Sequence, residues 1–159
     1  MSSFTHLDQQ GQVRMVDVTA KNATLRAALA QATIRMNRDT FEQIQNQTVK
    51  KGNVLETARI AGVMAAKKTS TLIPMCHPLN ITHVKIDFYP DPKQRLIRIE
   101  AAVRLTGQTG VEMEALTAAA VAALTIYDMC KSSDREMVIS DVFLLEKSGG
   151  KSGTYTRKK

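Results

Sequence analysis

Two runs of alternating side chains constrain this chain more than anything else in it. In THVKIDF, Val84, Ile86 and Phe88 alternate with His83, Lys85 and Asp87. In RLIRIEAAVRL, Ile97, Ile99, Ala101, Val103 and Leu105 share one face, while Arg98, Glu100 and Arg104 take the other. A period of two marks a strand with one face buried and one wet. Between them PDPKQ (90–94) is rich in turn formers, as a hairpin connection requires.

The other elements follow from caps and periodicity. RMVDVT (14–19) reads as a short strand, and Asn22 as the N-cap of a helix running through ATLRAALAQATIRM. A second short helical piece covers 40–46. KKGNVLETARIAGVMAAKK opens on a turn, with Asn53 and Glu56 at N-cap and N3, and its helix ends near Lys68. VEMEALTAAAVAALTIYDMC is an alanine-rich helix of about five turns. EMVISDVFLLEK (136–147) reads as a last strand. The order strand, helices, strand, strand, helix, strand predicts an α+β, ferredoxin-like split βαβ fold, an antiparallel sheet with helices on one face. No repeat or linker divides residues 1–159, so one domain is expected, with a polar stretch at 1–12 and a flexible basic tail at 148–159.

Composition narrows the partner. The chain has 159 residues, 43% hydrophobic and 23% charged, which is ordinary for a globular domain. No apolar run approaches the ~20 residues that span a bilayer, and MSSFTHLDQQGQ lacks a signal peptide's apolar stretch. Cys76 and Cys130 suggest neither a disulfide framework nor a Cys-x-x-Cys metal pair. A reduced, cytoplasmic protein is the simplest expectation. The net charge of +7 favours an anionic partner. RNA readers lean on aromatic platforms, but this chain has three Tyr, four Phe and no Trp, which favours a phosphorylated small molecule.

Several residues could carry chemistry. In TLIPMCHPLN, Pro74 and Pro78 stiffen the segment that presents Cys76 and His77. Zinc on these two is disfavoured, since neighbours in extended chain point apart and no second ligand pair has the spacing. Cys76 as nucleophile lacks an identifiable base. Thr109 and Glu112 have capping-box spacing, and Glu114 could complement the helix dipole. Asp128 and Lys131 meet at i,i+3, worth only ~0.3–0.5 kcal/mol on a surface, although Asp128 shares a face with Leu124 and so with the border of the buried stripe. KSGGKSG lacks the first Walker glycine, Leu145 standing there, and no helix follows. Its glycines could still offer N–H groups to a phosphate, with Lys147 and Lys151 for charge. Lys50, Lys51, Lys67 and Lys68 could contribute similarly, or be solvated surface charges.

MVDVTAK, KKGNVLETARIAG, LIPMCHPL, LTGQTGVEMEALTAAAVAALTIYDMCK and KSGGKSG together resemble the cyclic pyranopterin monophosphate synthase family of molybdenum cofactor biosynthesis, in order, from about residue 5 to residue 153. Met75 is a small departure where leucine is more usual. The resemblance implies a lyase that rearranges 3′,8-cyclo-7,8-dihydro-GTP to cyclic pyranopterin monophosphate and releases diphosphate. It also implies a homohexamer, a trimer of dimers with sites at subunit interfaces. Met75, Cys76 and His77 match the family's substrate-binding loop, with Met113 and Glu114. Asp128 matches the catalytic aspartate, and Lys51 and Lys131 match lysines used in the reaction; His77 and Glu112 suit further acid/base work. Asp17 matches an acidic position near the pocket, and Lys67, Lys147 and Lys151 are candidates to neutralise phosphate charge. No resident cofactor or metal is implied, though the triphosphate could carry magnesium. The rival class is a basic RNA-binding or assembly module on the same kind of sheet.

Overall fold

The computed structural model describes residues 10–158. Five antiparallel strands form one sheet in the order β2-β3-β1-β4-β5: β1 Thr24–Arg35, β2 His83–Asp91, β3 Leu96–Gly107, β4 Val138–Ser148 and β5 Tyr155–Thr156. The helices are α1 Arg38–Gln45, α2 Val54–Lys67, α3 Thr69–Leu72 and α4 Glu112–Cys130. The hairpin β2–β3 forms as its alternation demands, with Ile97, Ile99, Ala101 and Val103 all fully buried. The architecture is the expected α+β one, with α2 and α4 packed over one face of the sheet.

The expected helix from Asn22 is instead the central strand β1, paired along its whole length with β3 and along most of it with β4. Alanine's helix preference is worth only tenths of a kcal/mol per residue over its competitors. Against that stand two ladders of backbone hydrogen bonds and a period-two core face, Ala28, Ala30, Ala32 and Ile34, each at most 4% exposed. The small side chains let α4 lie close, and its Ala115, Ala118, Ala119, Ala122 and Ala123 are all fully buried. This buried face is also why α4, the one helix among the described residues long and apolar enough to cross a membrane, belongs to the core. Gly62 of α2 completes the seam: a Cβ there would stand 3.0 Å from the Ala118 carbonyl oxygen.

Residues 14–19 form no strand, because β1 occupies the place the first strand was assigned. The segment runs extended beside the loops at one end of the sheet. His77 Nε2 donates to the Val16 carbonyl at 2.7 Å, and Gln108 Nε2 to the Lys21 carbonyl at 3.1 Å. Asn53 caps α2 as expected, its side chain accepting from the Glu56 N–H. Thr109 caps nothing: the N-cap of α4 is Val111, with no side-chain bond. The tail is not without regular structure, since β5 pairs with β4 and Arg157 N–H donates to the Leu145 carbonyl at 2.8 Å. Of the polar stretch 1–12, residues 1–9 lie outside the described residues.

Candidate active site

The loop between α3 and β2 carries Met75, Cys76 and His77, all half-buried, with its turn closed by Cys76 N–H donating to the Ile73 carbonyl at 3.1 Å. They face the first turn of α4, which presents Glu112, Met113 and Glu114; Val16, Val18 and Lys21 form the third wall. The open cleft between them is about 320 Å³. Through Lys21, Thr109, Gly110 and Glu112 it adjoins a larger one of about 670 Å³, lined also by Arg26, Lys147, Gly149, Gly150 and Lys151.

Electrostatics differ between the two compartments. Glu114 is only 3% exposed, and burial pushes its carboxyl above the ordinary range, with the Glu112 charge adding to the effect. Burial, and then Glu114, push the Cys76 thiol up as well, which keeps it a thiol. Asp17, exposed at the rim, is held below the usual carboxylate range chiefly by the Thr19 backbone N–H. The second compartment is cationic. Arg26 donates to the Gly107 and Gln108 carbonyls at 3.3 and 3.2 Å, which pins the loop before α4 to β1. The 148–152 strap crosses over Arg26. Gly149 and Gly150 have φ of +97° and +75°, and a Cβ on either would run into the Leu25 carbonyl or the Arg26 guanidinium.

The remaining predicted residues sit elsewhere. Lys51 Nζ donates to the Asp128 carbonyl at 2.9 Å and lies 3.9 Å from its carboxylate; Lys131 Nζ pairs with that carboxylate at 2.7 Å. Lys131, and then Lys51, hold the Asp128 carboxyl below its usual range. Lys131 is raised by Asp128, not lowered among other cations. Leu124 is 56% exposed, so the face it shares with Asp128 is open in one chain and not the edge of its core. From Glu112 to Asp128 the helix rises about 24 Å. One chain therefore cannot bring both groups to the same small molecule. Lys67, exposed in the last turn of α2, lines neither cavity.

Sequence reasoning passed over Lys21 and Arg26 as site residues. Lys21 ends the MVDVTAK stretch, and Arg26 was hidden because its segment read as a helix. Among the described residues no three His, Cys, Asp or Glu side chains gather as a metal-ligand set.

A ferredoxin-like sheet that sets a desolvated acid at the start of α4 against a loop thiol, beside a cation-lined chamber, is the architecture of a small-molecule enzyme. The chain belongs to the MoaC family, which it matches over residues 15–150. It is 65% identical over 98% of its length to the cyclic pyranopterin monophosphate synthase of Desulforapulum autotrophicum, covering 95% of that protein. The synthases of Desulfatibacillum aliphaticivorans and Pelotomaculum thermopropionicum are 58% and 59% identical over 99% of this chain, covering 99% and 93% of their lengths.

Proposed function

We propose that the joined cavities at the N-terminal end of α4 bind one substrate molecule, rings in the smaller and phosphates in the larger, and that the Lys51–Asp128–Lys131 trio of a second copy completes the site. The protein is a lyase of molybdenum cofactor biosynthesis that turns cyclic dihydro-GTP into cyclic pyranopterin monophosphate. The observation that carries the reading of the site is the continuity of a half-buried acid/thiol/imidazole pocket with a chamber holding Lys21, Arg26, Lys147 and Lys151.

The chemistry divides accordingly. Opening one ring and closing the pterin moves protons among nitrogens and sugar oxygens, work suited to Asp128, His77 and Glu112. Glu114, whose carboxyl burial pushes above the ordinary range, lines the slot with Met75, Cys76 and Met113. Cyclising the phosphate forms a P–O bond from a sugar hydroxyl and breaks the one to the leaving diphosphate, whose growing charge the four cations neutralise. Lys51 keeps Asp128 ionised together with Lys131. Asp17 at the rim and Lys67 act from the periphery, by charge.

Support for assembly is the separation of the two clusters and the exposed apolar side chains Ile60, Met64 and Leu124 on the outer helix faces, which suit contacts between copies. A cytoplasmic homohexamer with interface sites satisfies both. No resident cofactor is assigned; magnesium would enter on the triphosphate. An RNA-binding role is disfavoured, because Phe88, Tyr89 and Phe143 each lie under an arginine and are not free to stack on bases.

Diphosphate release from cyclic dihydro-GTP tests the proposal. Replacing Lys147 and Lys151 together by Ala should raise KM roughly 100-fold or more, at about 1.5–3 kcal/mol per charge-assisted bond. Because Lys147→Ala also breaks the largely buried pair with Glu112, Tm of the empty protein should fall modestly while the fold persists. A double variant that turns over normally at low salt would detach the strap from the phosphates.

A further inference from the structure

Lys147 is already engaged before any substrate arrives. Its Nζ stands 3.4 Å from a Glu112 carboxylate oxygen and donates to Ser152 Oγ at 2.6 Å. Both side chains of the ion pair are more than two-thirds buried, unlike the exposed Arg38–Glu42 and Asp128–Lys131 pairs. The Glu112 carboxylate fills the space where a Cβ on Gly110 would be, and Gly110 lines both cavities. The one carboxylate shared by the two compartments is therefore seated on a cation of the phosphate chamber.

We propose that Glu112 is a built-in stand-in for the substrate's phosphates, seated on Lys147 until an anion with contacts to the other cations of the chamber displaces it. This rests on the reading of the larger cavity as the phosphate chamber. A ligand that claims Lys147 must first break the pair. Inorganic phosphate replaces one carboxylate contact with another of similar charge and gains little. A triphosphate also reaches Lys21, Arg26 and Lys151, and the sum of those contacts offsets the lost pair. When diphosphate leaves, the carboxylate returns to Lys147, and the product's lone phosphate is held less tightly than the substrate's chain.

The test is calorimetric titration of the full-length protein with inorganic triphosphate and with inorganic phosphate at low salt. Wild type should bind triphosphate at least tenfold more tightly than phosphate, or about 1.4 kcal/mol. Glu112→Gln should bind triphosphate more tightly than wild type does, since no pair has to be broken first, and phosphate by no larger a factor. Loss of one negative charge could tighten anion binding anywhere in the chamber, so Glu112→Gln is also measured in a Lys147→Ala background. There its gain should vanish, a coupling that mere charge removal would not produce. If the two substitutions simply add, the stand-in role is overturned while the phosphate chamber stands. If neither wild type nor variant binds triphosphate, both fall.

Discussion

The two ends of α4 make opposite use of the same kinds of residue. At the N-terminal end Glu114 is walled in, its carboxyl pushed up by desolvation, and two cavities open beside it. At the C-terminal end Asp128 is 61% exposed, its carboxyl pulled down by Lys131 and Lys51, and neither of those cavities reaches it. The first end encloses its charge beside a cavity. The second holds its charges in the open, and ion pairs so exposed contribute at most ~1 kcal/mol to stability.

Breaking the exposed end should have the largest effect. Asp128→Asn keeps the volume but cannot exchange protons, and turnover should fall at least roughly 1,000-fold. Because the side chain is exposed in the single chain, the variant should fold normally; near-normal product from a folded Asp128→Asn protein would remove it from the chemistry.

The comparison sharpens if the two ends are damaged in different copies. A mixture refolded from Asp128→Asn and His77→Ala chains should regain roughly a quarter of wild-type activity, since each site then draws its two halves at random. No recovery would mean that both halves come from one chain.

A smaller effect separates the ends thermodynamically. The folded-state pKa of Glu114 lies above its unfolded value, so folding is favoured while it is protonated and loses that advantage as pH rises through the folded pKa. Glu114→Gln should therefore raise Tm at pH 7, by on the order of 3 °C, with the gain vanishing below about pH 4. A Tm difference constant from pH 4 to pH 8 would show that desolvation of the charge is not the cause.

The smallest change belongs to Cys76. Burial keeps it a thiol, and the reaction needs no thioester. Cys76→Ser should retain activity within roughly fivefold of the parent, a difference of about 1 kcal/mol. A covalent adduct at Cys76, trapped during turnover and located by mass spectrometry, would overturn that.

The sequence alone determined the elements whose signals are local. The β2–β3 hairpin follows from strict alternation, the start of α2 from the Asn53 cap, and α4 from a long alanine-rich run. The motifs that carry chemistry were legible as well, because LIPMCHPL and the start of α4 are unusual at the level of residues. The tertiary structure decided the rest. TLRAALAQATIR has alanines that suit a helix and a spacing that suits a strand, and only β3 and β4 on either side, with α4 above, made it β1 and so exposed Arg26 as a site residue. Likewise Thr109 and Glu112 have the spacing of a capping box, but Lys147, distant in sequence and adjacent in space, draws Glu112 toward the chamber. Local preference is worth tenths of a kcal/mol per residue, whereas burial of a central strand and pairing of a desolvated charge are worth whole ones.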